Sequence, residues 1–421
     1  MASTLVQKIL ARSSGRARVE PGEVIWATPD LTTMPEVSYP AYVKRLADIG
    51  IDTLARPERL VVAIDHETPA HSVAAAERNR LTRQLAAKMH VGHLFDGEGI
   101  THPLTVERGL VMPGMFVAGA DTHTSGLGGV GALAMPFGIE VTMIMATGRI
   151  WLKVPQTIRV CVNGALPVGV TARDVVLHVM RLIDADEANE RVIEYGGTAI
   201  ERMSVPERIT ISGLTVDMGA DAGMVPADAR TLQYLRDSGV QDPQVLSGDD
   251  DADYARIIDV DARALRPLVS IPPSPAHVRE ATELGDVAIQ HAYIGSCASG
   301  SLAELRMAAA LVKGRKVRDG VQLLVIPATR RVHEQAMAEG VLGTLMAAGA
   351  QIAPSTCGPC FGGLAPLAAG EVRISTSTRN DPGRMGSLDA NIYLASSLTV
   401  AASALAGHIA DPRDFLQEAL T

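Results

Sequence analysis

Short apolar runs that end in glycine, proline or paired polar residues recur along the chain, separated by stretches with the 3.6-residue repeat of a helix. Leu60–Ile64 reads LVVAI and runs into Asp65-His66; residues 115–118 are similar and run into Asp121-Thr122-His123-Thr124. Residues 157–162 (TIRVCV) open a fresh segment, followed by a helical stretch over 172–183. Near the start, Leu5, Ile9 and Leu10 mark a short amphipathic helix among Lys8, Arg12, Arg16 and Arg18, so no secretory signal is expected there. Residues 265–278, with prolines at 267, 272, 273 and 275, read as a linker or extended crossover. Beyond them the spacing predicts a strand over 287–294, a helix over 301–313, a strand over 322–326 and helix over 329–348 with a break at Gly340. A short strand over 372–376 and a small-residue helix over 394–405 complete the block. The alternation predicts α/β architecture without internal repeats. The expected division is 1–155, 156–278 and 279–421.

Composition narrows the class. The 421 residues are 47% hydrophobic but only 3% aromatic, so a large core must be built from aliphatic side chains and the 16 methionines. The formal charge of −9 and the lack of any long Lys/Arg run argue against a nucleic-acid binder and suit a cytoplasmic protein. Four cysteines are too few for a disulfide scaffold. The longest uncharged stretch, 122–139, carries His123, Pro136 and repeated glycines, which predicts a packed turn region and no membrane span. The acidic run over 249–253 lacks the glycine and distal glutamate of a calcium loop and reads as a solvated loop.

Three of the cysteines share a setting. Cys297 follows a predicted strand within GSCASG, and Cys357 and Cys360 lie in PSTCGPCFGG. All three fall just beyond strand ends, the edge where open parallel sheets form sites. Cys161, inside RVCV, reads as a packing residue. A C-x-x-C with one further thiol fits an iron–sulfur cluster, part of a zinc site or a redox pair. A cluster held by three thiolates would leave one iron able to act as a Lewis acid.

Several histidines and acids also sit in glycine-rich turns: Asp65-His66, His102 in GEGITHP, Asp121 and His123, and Glu194 in IEYGG. Histidine–carboxylate pairs fix an imidazole's protonation and serve as acids for a leaving hydroxyl; each taken alone also reads as a satisfied turn residue. His90 and His93 form an H-x-x-H that reads as the surface of a helix. Arg379 and Arg384 in TRNDPGRMG suit a dicarboxylate, or an ordinary surface ion pair.

Taken in order, KILAR, VEPGE, AIDHETPA, GEGITH, PGMFVAGADTHTSGLGGVGAL, IEYGG, VDMGADAGMV, AYIGSCASG, CGPC and TRNDPGRMG resemble the aconitase superfamily over nearly the whole chain. Within it they resemble the large subunits of the isopropylmalate isomerase and homoaconitase type. The resemblance implies an aconitase-like fold of three α/β domains around a central iron–sulfur cluster, without the swivel domain of single-chain relatives. It implies a [4Fe–4S] cluster held by Cys297, Cys357 and Cys360. It implies a hydro-lyase that dehydrates and rehydrates a 2-hydroxy di- or tricarboxylate, in amino-acid biosynthesis for the isopropylmalate type. Asp65 with His66 would donate the proton to the leaving hydroxyl. His102 with Asp121, and His123 with Glu194, would act as polarising pairs, and Arg379 and Arg384 would grip carboxylates. The serine base of the swivel domain has no counterpart before Thr421, so a separate small subunit is the expected partner, with no nucleic acid and no membrane.

The chain departs from the family pattern at several points. Pro35-Glu36 stands where His-Asp or Gln-Asp is usual, Ser299 ends the S-C-A-S loop, Ala120 to Thr124 replace G-D-S-H-T, and Thr378 opens T-R-N-D. These departures suggest a paralogue with altered substrate in specialised metabolism; isopropylmalate stays the best named substrate, with homoaconitate or another hydroxy acid as the alternative. Two rival classes are an RNA-binding regulatory relative and a cluster-free scaffold; the acidic charge opposes the first and the retained cysteines the second.

Overall fold

The computed structural model describes residues 2–417. The chain divides into two compact units: 1–97, 101–164 and 185–260 form the first, and 98–100, 165–184 and 261–421 the second.

The first unit is built on a five-stranded parallel sheet in the order His93–Asp96, Leu60–Ile64, Leu31–Pro35, Phe116–Gly119, Leu133–Pro136. Every residue of Leu60–Ile64 and Leu31–Pro35 is buried, the signature of central parallel strands covered on both faces. A four-stranded sheet runs Ala222–Met224, Arg191–Gly196, Gln156–Asn163, Arg256–Asp261, and a ribbon pairs Val24–Ala27 with Ile150–Lys153. The uncharged glycine-rich stretch is a buried 3₁₀ helix, Thr122–Val130. Glycine is required there by close approach: a β-carbon on Gly128 would lie 2.0 Å from the Gly223 carbonyl oxygen, and one on Gly129 2.5 Å from the Ile209 nitrogen.

The second unit holds a seven-stranded sheet in the order Val278–Glu280, Leu268–Ser270, Asn391–Ala395, Val372–Ser375, His291–Ile294, Gln322–Val325, Gln351–Ile352, of which the last five strands are parallel. Its helices start on polar caps. Ser301 and Glu304 form a capping box for Leu302–Val312, Thr329 caps Arg330–Ala338, and Ser396 caps Ser397–Ala406. Gly340, at φ 74°, breaks the helical stretch before Val341–Ala348, as the sequence predicted.

Three local expectations are corrected. The proline-rich stretch 265–278 is not a plain linker: Leu268–Ser270 adds to the sheet, pairing antiparallel with both Val278–Glu280 and Asn391–Ala395. Backbone pairing there is compatible with proline because the prolines fall outside the paired residues. The segment expected as a helix from 394 begins as a strand and turns helical only after Ser396. His90 and His93 lie on no helix: His90 sits in a turn at φ 55° after Val73–Lys88, and His93 opens a strand. Among the described residues, no helix is long and apolar enough to cross a membrane.

Candidate active site

In the first unit, three neighbouring strands of the five-stranded sheet deliver their C-terminal residues to one edge. Leu31–Pro35 is followed by Glu36, Leu60–Ile64 by Asp65-His66, and Phe116–Gly119 by Asp121, which caps the 3₁₀ helix. His102 comes from the short helix Thr101–Glu107. His66 Nδ1 lies 2.7 Å from Asp65 Oδ1. The other Asp65 oxygen accepts the Thr101 backbone N–H at 2.7 Å and the Thr101 hydroxyl at 2.6 Å, so the carboxylate is held at both ends. His66 Nε2 faces Asp121 at 3.7 Å, within ion-pair range. Asp121 Oδ1 in turn meets His102 Nε2 at 2.8 Å and accepts the His123 N–H at 2.8 Å.

The electrostatics follow from that packing. Burial opposes charge on Asp121, but His102, His66 and His123 outweigh it and hold its carboxyl well below the usual range. Asp65 is lowered in the same way by His66 and Thr101, against its burial. Burial also disfavours a charged His66, yet Asp65, Asp121 and Glu36 together keep its pKa well above the ordinary value. The imidazole is therefore held as a proton donor.

The pairing expected for His123 is corrected. Its Nε2 lies 3.2 Å from Asp217 Oδ2, a fully buried carboxylate from VDMGADAG. Glu194 is bound elsewhere, its Oε1 accepting from Arg159 at 2.8 Å and Tyr254 at 3.0 Å. The reason is register. Arg159 and Glu194 are direct partners on adjacent parallel strands, so their side chains share a face of the four-stranded sheet. Both line a cavity of about 480 Å³ with Cys161, which is half-buried there and not the core residue that RVCV suggested. Two residues with no assigned role in the sequence reading thus belong to the cluster, Asp217 and Glu36. The available signals were the acid inside VDMGADAG and the acid after Pro35.

In the second unit, the three predicted cysteines converge. Cys297 follows His291–Ile294, Cys357 caps the 3₁₀ helix Gly358–Phe361, and Cys360 lies within it. All three are buried, with Ile100 packed against them, and Cys297 Sγ lies 3.6 Å from Cys357 Sγ. The Cys297 loop is pinned on both sides. Gly295 N–H donates to the Thr376 hydroxyl at 2.8 Å, and the Ser296 hydroxyl donates to the Thr376 carbonyl at 2.8 Å. Ser296 is held at φ 105°, a region side chains avoid unless the surroundings impose it. The buried Arg173 donates to the carbonyls of Thr376 and Ser377, fixing the strand end that pins the loop. The Thr378 hydroxyl meets Cys360 Sγ at 3.6 Å, and Arg384 Nε donates to the Cys360 carbonyl at 3.1 Å. Arg379 is half-buried on the same loop.

The chemistry of this donor set is lopsided. Hydrogen bonding to Cys297 and Cys360, together with burial, pushes the Cys357 thiol well above its ordinary pKa. Three soft donors packed together in a buried pocket suit a thiophilic metal centre, whose positive charge would reverse that shift. Cys357 is hydrogen-bonded to both Cys297 and Cys360, an arrangement that fits a three-thiolate centre better than a redox pair.

The description of the aconitase family (aconitate hydratase) matches residues 7–283 and 277–407. The large subunit 1 of 3-isopropylmalate dehydratase from Methanopyrus kandleri is 41% identical over 99% of this chain and all of that protein. The corresponding large subunit from Nitratidesulfovibrio vulgaris is 41% identical over 98% of this chain and 99% of its own length. That of Hydrogenobaculum is 37% identical over the whole of both. Aconitase X of Thermococcus kodakaraensis, in its holo-form, overlaps 89% of each chain at 14% identity with a TM-score of 0.48.

Proposed function

The chain belongs to the aconitase family, and on that premise we propose that it is the cluster-bearing large subunit of a cytoplasmic hydro-lyase of the 3-isopropylmalate dehydratase type. Cys297, Cys357 and Cys360 would hold a [4Fe–4S] cluster, and their buried convergence is the observation that carries the reading. Held by three thiolates, such a cluster would supply Lewis acidity to the substrate's hydroxyl end.

The chain's own residues do the rest. His66 gives its proton to the departing hydroxyl oxygen, and Asp65 fixes the imidazole with Nδ1 engaged and Nε2 presented. Asp121 binds the His102 ring and the His123 backbone N–H, so the His102 imidazole keeps a fixed orientation through the reaction. Asp217 holds the far nitrogen of His123. Arg379 and Arg384 bind substrate carboxylates, with Arg384 oriented by its bond to the Cys360 carbonyl. The base that removes the carbon-bound proton would come from a separate small subunit, a partner that fits relatives known as large subunits. Elimination and rehydration at the adjacent carbon then move the hydroxyl.

Pro35 offers no side-chain donor, which favours a substrate with one polar contact fewer than those of relatives with His or Gln there. The test is anaerobic co-purification with a candidate small subunit of the swivel-domain type, followed by assay on 3-isopropylmalate, homoaconitate and citrate. Turnover of 3-isopropylmalate above the others, only with both subunits, is expected. Robust turnover by this chain alone, or none of the three accepted by a complex with full iron loading, would contradict the proposal.

A further inference from the structure

The residue after Pro35 does something the family pattern does not assign. Glu36 is fully buried at the end of Leu31–Pro35. Its carboxylate reaches across to the neighbouring strand's exit and accepts three consecutive backbone N–H groups: Asp65 at 3.2 Å, His66 at 2.9 Å and Glu67 at 2.5 Å. Its own N–H donates to the Ala63 carbonyl at 2.8 Å, so the two strand exits are stitched in both directions. Glu36 Oε2 also lies 3.9 Å from His66 Nδ1.

We propose that Glu36 is a positioning residue for His66: it holds the 65–67 turn in place through three amides and places a third carboxylate against the imidazole, beside those of Asp65 and Asp121. The inference deepens the hydro-lyase reading and rests on it for the role of His66. Three carboxylates face that ring, Asp65 from its own turn, Glu36 from the adjacent strand and Asp121 from the 3₁₀ cap. Asp65 already occupies Nδ1 by hydrogen bond, so Glu36 acts on the ring through its field and through the backbone. A buried carboxylate this close to Asp65 is costly, and burial followed by the Asp65 charge pushes Glu36 up to about 7. It is retained in an ionisable form because the amides and His66 repay part of that cost.

Two variants separate the two functions. In E36Q the side-chain carbonyl keeps the His66 and Glu67 amides, while the charge is gone and the new NH₂ faces the Asp65 N–H. In E36A every side-chain contact is lost while the backbone bond to Ala63 remains. The measurements are made on the full-length chain, without partner or substrate: an NMR titration of ¹⁵N-histidine, with His66 assigned from an H66N spectrum, and amide hydrogen exchange over 60–68. E36Q should lower the proton affinity of His66 by about tenfold, the scale of losing an opposite charge at this range, while amides 66 and 67 stay protected within about threefold. E36A should show the same loss and, in addition, exchange of 65–67 faster by on the order of tenfold or more. An E36Q protein that melts normally and titrates His66 as the parent does would overturn the proposal. Should both variants fail to fold, E36D keeps the charge on a shorter arm. It should titrate near the parent yet exchange 65–67 faster, and parental exchange rates in E36D would overturn the proposal equally. An inactive complex whose His66 titration still shifts in E36Q would refute the hydro-lyase reading and leave this one standing.

Discussion

The histidine cluster of the first unit and the cysteine cluster of the second are both buried and both pinned by neighbouring strand exits, but they differ in charge balance. In the first, acids and imidazoles alternate: Asp65 with His66, Asp121 with His102, Asp217 with His123. Asp65, Asp121 and His66 are all shifted toward their charged forms, with buried Glu36 pushed the other way, so the network balances most of its charge with the chain's own side chains. In the second, like donors crowd each other and Cys357 is driven toward the neutral thiol. A site built to hold and give a proton can be complete within one chain. A site of three packed thiols is complete only with a cation that turns repulsion into ligation.

That contrast can be broken by substitution. His66→Ala should lower kcat of the proposed two-subunit enzyme by on the order of 10²–10⁴-fold with iron content unchanged, the range for a general acid. A near-normal rate would reduce His66 to a packing residue. Asp217→Asn keeps shape and removes charge; kcat should fall about tenfold with KM little changed, because His123 loses its fixed partner. Glu194→Gln sharpens the comparison from the other side. Its carboxylate serves Arg159 and Tyr254, so kcat should change by less than about threefold, while Tm falls by roughly 2–4 °C. A large rate loss at Glu194 with unchanged Tm would restore it to the acid–base set.

The smallest effect is on stability against pH. Glu36 is raised from 4.5 to about 7, and buried Asp174 and half-buried Asp221 from 3.8 to about 6, so between about pH 4 and 7 these groups bind more protons in the native chain than in the unfolded one. His66 acts in the same direction above pH 6.5, its contribution being lost as pH rises through its elevated native pKa. Asp65 and Asp121 are lowered and matter only below about pH 4. Stability should therefore fall from pH 6 to pH 8, read as a lower Tm at the higher pH, and E36Q should flatten the slope.

Much of this was legible along the chain because turn chemistry leaves local marks. Leu60–Ile64 running into Asp65-His66 puts donor and acceptor side by side, and glycine and proline around Cys297, Cys357 and Cys360 betray sharp strand exits. Adjacent or motif-bound residues need no knowledge of which turns meet. Asp217 and Glu36 do need it. One lies 94 residues from its histidine, and the other acts on backbone amides, which carry no sequence signal at all. Glu194 shows the converse error: the family resemblance paired it with His123, whereas strand register gave it to Arg159. The strand Leu268–Ser270 was hidden because prolines dominate its surroundings while its own three residues pair normally.

The central claim is that the cysteine cluster is completed by iron and the histidine cluster is not. Iron and acid-labile sulfide per chain, measured after anaerobic reconstitution of the parent, H66A, C161S and each of C297S, C357S and C360S, tests it most directly. About four irons and four sulfides are expected in the parent, H66A and C161S, and near-complete loss in each of the other three. Full loading of any one of C297S, C357S or C360S, or loss of iron in H66A, would contradict the account.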